Sequence, residues 1–479
     1  MYKVAIIGAG VVGAMAARRL SAYDIEIVIL EKEADVAMGQ SKANSGIVHA
    51  GYDPMPGSLK ALLNVKGSEM MEAVCQELGV SYRRNGTLIV AFEEGEFAEL
   101  QNLYERGVEN GVKGLKIIDG KDARKIEKNL SNKVKRALYA PTGAVVCPYE
   151  LTIEAIANAM DNGTELLRNF EVTNIANRND SFLIDAEDGR QVEAQYVINC
   201  AGVYSDKIAS MIGDDSFEIT PRSGEYILLD KETGDLTNAT IFKTPDIMGK
   251  GVLVTRTVDG NILLGPTSID RESKEDLKVT SEGIESIKKK SAFFFDNLPL
   301  DKAITQFTGL RAHGNTGDFI INSPVNGFIN AAGIESPGLT SAPAIAIAIE
   351  EKLIEGGFDE KLKENYNPIT SKGKDFSKAT NEEKMNLIKE NPDYGHIVCR
   401  CEEVTVAEIR EAIRREPGAV DVDGIKRRTR SGMGRCQGGF CVSQVVEILS
   451  EELNLSPEEI TKKGANSKIL IEKVKGGIV

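Results

Sequence analysis

Between residues 3 and 31 the chain alternates unbroken apolar runs with a glycine turn and a mixed stretch, the pattern of strand, turn, helix and strand. The run at 4–7 has no polar break, so it predicts a strand buried on both faces, as in a parallel sheet. Glycines within 8–13 turn the chain, 14–21 predicts a helix, and 25–30 predicts a second strand leading to Glu31. The same order returns twice. Residues 196–202 lead into a helix over 205–212, and 327–333 lead into one over about 341–353. The parallel-sheet domain is therefore expected to be discontinuous, assembled from 1–80, 145–220 and 306–356.

The intervening stretches have a different texture. Residues 86–92 and 226–229 read as antiparallel strands, and 251–265 reads as a hairpin turning at Asp259-Gly260. They predict a second, antiparallel-sheet domain from 81–144 and 221–305, laid over the first. From 357 to 394 the chain is polar and charged with little apolar periodicity, which reads as a linker. A small helical domain is expected over 395–455, with helices near 406–415 and 442–453, and 456–479 reads as a tail. The expected fold class is α/β, with a Rossmann-like dinucleotide domain at its centre.

Composition narrows the function classes. The 479 residues are 42% hydrophobic and 27% charged, ordinary for a globular chain with a real core. A net charge of −14 argues against nucleic-acid binding, and an anionic substrate needs a locally positive pocket. The chain opens directly into a strand and has no apolar run near the ~20 residues that span a bilayer. A cytoplasmic protein is expected, with any membrane association peripheral and through a partner.

The segment Gly8-Ala9-Gly10-Val11-Val12-Gly13 joins a strand to a helix. Gly8 allows the tight turn, Gly10 the close approach of a pyrophosphate, and Gly13 the packing of helix on strand. Glu31 stands where an acidic residue binds a ribose hydroxyl. FAD and NAD share this fingerprint. The single fingerprint and the two later strand units favour one large cofactor, FAD, held by distant segments that include Gly202.

Four of the seven cysteines are clustered: Cys399 and Cys401, then Cys436 and Cys441. Four thiolates from two loops can hold zinc or an iron–sulfur cluster, although the C-x-C half is tight for a zinc knuckle. Such a centre needs a one-electron donor, which flavin can be and nicotinamide cannot readily be. Cys75, Cys147 and Cys200 lie in apolar contexts and read as buried thiols.

Further motifs carry a resemblance. Gly39-Gln-Ser-Lys-Ala-Asn-Ser-Gly-Ile-Val-His-Ala-Gly-Tyr52, Pro56-Gly-Ser-Leu-Lys-Ala61, Asp259-Gly-Asn-Ile-Leu-Leu-Gly-Pro266 and Thr308-Gly-Leu-Arg-Ala312 are similar to the L-2-hydroxyglutarate enzymes of the flavin-dependent oxidoreductases that also include glycerol-3-phosphate dehydrogenase. Lys426-Arg-Arg-Thr-Arg-Ser-Gly-Met-Gly-Arg-Cys-Gln-Gly-Gly-Phe-Cys441 resembles the bacterioferritin-associated-ferredoxin-like tail of the anaerobic glycerol-3-phosphate dehydrogenase large subunit. The resemblance implies a discontinuous FAD-binding domain, a substrate cap and a C-terminal [2Fe-2S] domain. It also implies that Ser41, Asn44, Ser45 and Gly46 line the flavin and its phosphates, and that Gly333, Gly338 and Leu339 present backbone N–H groups near the flavin ring. The basic run Lys426, Arg427, Arg428, Arg430 and Arg435 is expected to offset cluster charge and could dock an acidic electron-transfer partner.

Oxidising a secondary alcohol needs a hydride acceptor, a base and a cation for the substrate's acid group. The chain has three histidines. His49 is the first candidate base, His313 the second, and His396, beside the cysteines, reads as structural. Arg311 is the first anion clamp, able to hold phosphate or carboxylate through paired hydrogen bonds. Arg256 is the second, with a solvent-facing strand arginine as its alternative. The expected reaction is oxidation of sn-glycerol 3-phosphate, with electrons passing through the cluster to a partner flavoprotein or iron–sulfur subunit. L-2-hydroxyglutarate is the alternative substrate, and a non-catalytic redox relay the alternative class.

Overall fold

The computed structural model describes residues 1–245 and 251–472, so the end of the expected tail, 473–479, lies outside the described residues. The first sheet has eight strands. Tyr2–Ile7 runs parallel to Ile27–Leu30 on one side and to Gln191–Asn199 on the other, with Val4 paired to Ile27 and Tyr196. Phe328–Ala332 continues the parallel set beyond Gln191–Asn199. The three strand units read from the sequence therefore meet in one sheet, though 192 positions separate Val4 from its partner Tyr196 and the third unit lies further still along the chain.

Both faces of the central strand are covered. Val4 and Ile6 share a core with the helices Val11–Leu20, Pro148–Asp161 and Gly338–Glu355. Ala5 and Ile7 share the opposite core with Phe170, Ile184 and Phe328. That double burial is the physical reason the run at 4–7 is apolar without a break.

The second sheet has nine strands, antiparallel except where Thr240–Lys243 runs parallel to Thr87–Ala91. The hairpin forms between Leu253–Arg256 and Ile262–Gly265, with Gly260 in the left-handed region its turn requires. The longest pairing joins Ile219–Leu229 to Ala303–Gly314 and sets Arg222 opposite Arg311. Arg311 and His313 thus stand on the second sheet, beyond the boundary at 306 expected from the sequence. The alternation of half-buried and buried positions from Leu310 to Gly314 suits a sheet with one face turned to the first domain.

The charged stretch 357–394 needs correction. It holds a helix, Asn381–Glu390, opened by a capping box in which Thr380 and Glu383 bond reciprocally. Only Leu387 of that helix is buried, so its apolar stripe is too thin to reveal it. The cysteine region forms a short strand pair, Ile397–Cys399 with Val404–Thr405, and three helices, Val406–Arg414, Val422–Thr429 and Val442–Leu453, around one core. Among the described residues no helix is long and apolar enough to cross a membrane.

The basic run does not form an outward patch. Arg427 and Arg428 both bond the fully buried carboxylate of Asp35, at 2.7 Å for Arg428 Nη2. Arg430 bonds Asp259 and Glu402, and Arg435 reaches Asp230 and Glu232. The expected partner-docking role is therefore corrected: four arginines of the run are spent on carboxylates of the same chain, and each has a partner in one of the two larger domains. Burial alone would raise the Asp35 carboxyl, but the Arg428 and Arg427 guanidiniums outweigh it and hold it well below the usual carboxylate range. Its contribution is thus complete above that range and is lost only as pH falls through the depressed value. Asp35→Asn should leave two buried guanidiniums short of an anion and cost roughly 3–5 kcal/mol, read by denaturant unfolding at pH 7. A cost near zero would show the node to be dispensable.

Candidate functional site

A cavity of about 1070 Å³ runs between the two sheets, from the glycine turn to the cap. At one end Gly8 and Gly10 line it, and Gly13 does not. Gly13 packs instead: a Cβ there would lie 2.1 Å from Gly8 O. The Val11 N–H at the start of the first helix donates to Ser41 Oγ at 2.8 Å, so Ser41 marks the anion position of that helix. Glu31 is buried and accepts from the N–H groups of Ala9 and Glu33 at 2.8 and 2.9 Å. Burial pushes its carboxyl up to about 7 against those two bonds. Glu31 lines the cavity and also holds the turn in shape.

The loop 40–46 divides between lining and scaffolding. Ser41, Asn44 and Ser45 line the cavity. The Asn44 amide donates to Gln40 O and Ser41 O, and its oxygen accepts from Gly46 N–H, so Asn44 shapes the loop. Gly46 lies outside the lining, pressed so close to Val146 O that a Cβ would sit 2.5 Å away. Gly202 lines the cavity in the left-handed region. At the other end Gly333 turns the chain with φ of 63° without lining, whereas 334–339, including Gly338 and Leu339, do line. The helix Gly338–Glu355 starts there with no side-chain cap, earlier than the sequence pattern suggested.

His49, on the loop after the short strand Ile47–Val48, and Arg311, on the second sheet, line the same cavity. The His49 backbone N–H donates to Thr340 Oγ1 at 2.9 Å, its carbonyl accepts from Asn64 Nδ2 at 2.7 Å, and Ser336 Oγ stands 3.4 Å from Nε2. Gly67 makes this possible by letting its helix approach Thr340 O, where a Cβ would lie only 2.2 Å away. Arg311 is steadied by a bond from Nη2 to Thr267 O at 2.5 Å.

Two expected residues are placed elsewhere. His313 stands behind the lining, with Nδ1 3.1 Å from Glu335 Oε1, which Lys60 Nζ also reaches at 2.9 Å. It projects from the same face of its strand as Arg311, two residues further on, but lies outside the lining. Arg256 lies over Gly234 and Gly260 with Asp235 as a distant partner, outside the cavity, because its strand points it across the hairpin turn. His396 is exposed, and its carbonyl accepts from Val406 N–H to close the short strand pair. Sequence reasoning missed Lys60, Arg222, Glu335 and Ser336, all of which line the cavity. Lys60 and Ser336 sat inside motifs already singled out, but nothing in the sequence marked Arg222.

In the small domain Cys399 and Cys441 are buried, Cys436 is half-buried and Cys401 is exposed. Cys401 Sγ and Cys436 Sγ are 3.7 Å apart, and Cys399 and Cys441 share a hydrogen bond. Two thiolates on one tetrahedral metal with ~2.3 Å bonds stand about 3.7 Å apart. Cys401 with Cys436 and Cys399 with Cys441 thus stand as two thiol pairs, four thiols in all, the number that would hold a [2Fe-2S] cluster. The Cys441 hydrogen bond, with N–H groups of Gly432, Glu402 and Cys401, pulls the Cys399 thiol down to about 5 against burial. N–H groups of Gly438, Phe440 and Gly439 point at Cys436. Thiolates gathered under backbone N–H groups fit a negatively charged iron–sulfur core. Cys75, Cys147 and Cys200 are buried and far from this set in character, with burial raising each thiol.

Comparison with known proteins agrees with both ends of this geometry. Residues 3–351 match the family FAD dependent oxidoreductase, and 397–451 match the BFD-like [2Fe-2S] binding domain. The chain is 45% identical over 480 residues to a glycerol 3-phosphate dehydrogenase of Caloramator mitchellensis, covering 100% of both. It is 32% identical to the mitochondrial L-2-hydroxyglutarate dehydrogenase of Pongo abelii, over 74% of this chain and 87% of that protein. Among solved structures, the dithionite-reduced L-alpha-glycerophosphate oxidase of Mycoplasma pneumoniae with FAD bound superposes with a TM-score of 0.74 and 30% identity, covering 78% of this chain and 99% of that one. The glycine turn, the cavity that follows it and the paired thiols together place this chain among the FAD-dependent oxidoreductases acting on CH–OH groups, with a [2Fe-2S] domain joined to the flavin enzyme.

Proposed function

We propose that the protein oxidises sn-glycerol 3-phosphate to dihydroxyacetone phosphate in the cytoplasm and passes the electrons to a protein partner. The observation that carries the reading is the presence of both His49 and Arg311 in the lining of the cavity that begins at the cofactor turn. When bound, flavin supplies the hydride acceptor and the [2Fe-2S] cluster a one-electron outlet. Arg311 holds the phosphate of the substrate in two charge-assisted hydrogen bonds. His49 takes the hydroxyl proton at Nε2 as the adjoining carbon gives up hydride, and Ser336 Oγ fixes the ring for that transfer. Lys60 also lines the cavity, its charge offset by Glu335 at 2.9 Å.

The substrate class is supported by the full-length relative, whose name is a glycerol 3-phosphate dehydrogenase and whose match spans the cysteine region. The outlet is supported by what the oxidase lacks: 99% of that chain is covered by 78% of this one, leaving it almost nothing to match the rest. An exit at the small domain is supported by two exposed groups. Cys401 is exposed, and Phe440, beside the ligand Cys441, is 86% exposed, an apolar contact next to the cluster edge.

An anaerobic visible spectrum before and after sn-glycerol 3-phosphate tests the reading. Bleaching of flavin and cluster bands together is expected; an unchanged spectrum that bleaches with L-2-hydroxyglutarate moves the assignment to that acid, whose carboxylate Arg311 fits equally well. Arg311→Ala is expected to raise KM for the phosphate substrate about 10–100-fold, the loss of a hydrogen-bonded charge pair. An unaltered KM removes Arg311 as the clamp.

A further inference from the structure

Asp270, Arg222 and Arg311 stand opposite one another across three adjacent strands of the cap sheet, Ile269–Asp270, Ile219–Leu229 and Ala303–Gly314. Residues directly opposite in neighbouring strands share one face of the sheet, so two arginines are set side by side there. Like charges in that position are destabilising. The two side chains take different partners. Arg222 turns to Asp270, with Nε 2.5 Å from Oδ1 and Nη2 3.1 Å from Oδ2. Arg311 lies over Gly224, where a Cβ would stand 2.7 Å from Nη2, and donates to Thr267 O. Both arginines line the cavity, and Asp270 does not.

The charges around this row do not cancel. Lys60 is offset by Glu335, which also faces His313, and Arg222 is offset by Asp270. Arg311 bonds only a carbonyl among the described residues, so one cation is left for an incoming anion. A single carboxylate needs no more than that. A phosphate monoester carries about −1.5 to −2 at pH 7, and its second charge needs a second cation. Arg222 is the neighbour that can supply it. The Asp270 side chain is 53% exposed, so water solvates the carboxylate when the guanidinium turns away, and an ion pair that open to solvent is weak.

We infer that Arg222 is a second anion-binding residue of the substrate site, which leaves Asp270 to close on the substrate's phosphate beside Arg311 and so favours a doubly charged phosphate over a single carboxylate. The inference rests on the phosphate substrate proposed above.

The test is equilibrium binding of dihydroxyacetone phosphate, the product of the proposed reaction, to the oxidised holoenzyme, read by calorimetry. No electrons move, so affinity is measured apart from turnover. Arg222→Met should raise the dissociation constant about 10–100-fold, as expected for the loss of a charge-assisted hydrogen bond. Asp270→Asn should bind as tightly as the parent or more tightly, because it frees Arg222. Both variants should keep the flavin absorbance of the parent. Unchanged affinity in Arg222→Met overturns the inference. So does equal weakening in the two variants, which would make the ion pair a brace for the edge strand Ile269–Asp270 and nothing more. Should Arg222→Met fail to fold, Asp270→Asn decides alone, and weaker binding there overturns the inference. These outcomes leave the substrate reading standing. A parent protein that binds 2-oxoglutarate, the product of the alternative reaction, and not dihydroxyacetone phosphate overturns that reading and the inference with it.

Discussion

His49→Asn is expected to bind flavin normally and to be reduced by substrate about 10²–10⁴-fold more slowly, the usual share of a general base in a hydride-transfer reaction. The size of the effect follows from the absence of a substitute. Of the three histidines, His49 alone lines the cavity; His313 faces Glu335 and His396 is exposed on the small domain. The ring is also placed with care: its backbone is fixed through Thr340 and Asn64 on two different helices, and Ser336 approaches Nε2. Asparagine keeps the backbone bonds and loses only the proton acceptor. Stopped-flow reduction under anaerobic conditions reads the rate, and substrate affinity should hold because Arg311 lies on a separate element, the strand Ala303–Gly314. His313→Ala serves as the contrast, expected to remain within a few-fold. Rates within a few-fold for His49→Asn would remove it as the base.

Cys401→Ser is expected to abolish the iron–sulfur absorbance and cut electron delivery to a one-electron acceptor by more than about 100-fold, exceeding the effect typical of residues that merely support metal ligands. Flavin reduction by substrate should persist, which separates the outlet from the chemistry. Cys401 is the informative ligand to change. Cys399 and Cys441 belong to the apolar core of the small domain, so replacing either also disturbs packing, whereas Cys401 is exposed and lies outside that core. Retention of the cluster bands in Cys401→Ser would exclude it as a ligand. Acceptor reduction at the parent rate without a cluster would overturn the proposed electron path.

The parallel core was legible because burial on both faces leaves a plain signal. Val4–Ile7 is apolar throughout for that reason, and the glycines beside it have separate steric duties that spacing reveals. The thiols were legible by count and clustering. What the sequence hid was direction. Arg256 and Arg311 both lie on strands of the cap sheet, yet one faces a hairpin turn and the other the cavity, and side-chain alternation alone does not say which face meets the other domain. The arginines 427–435 read as an outward patch because their partners, Asp35, Asp230 and Asp259, are distant in sequence. The helix Asn381–Glu390 was missed for lack of an apolar stripe, although Thr380 and Glu383 carried the capping signature. Arg222 was missed because a β-strand arginine carries no motif.

Asp35 and Arg427 are 392 residues apart along the chain. At ordinary rates of synthesis the carboxylate leaves the ribosome roughly 20–80 s before its counter-ion exists. The glycine turn and its sheet neighbours can form in that interval, but the Asp35 carboxylate, buried in the finished protein, cannot yet be paired. Order of manufacture therefore leaves that carboxylate in water until the end of translation, and the docking of the small domain is the step that buries it.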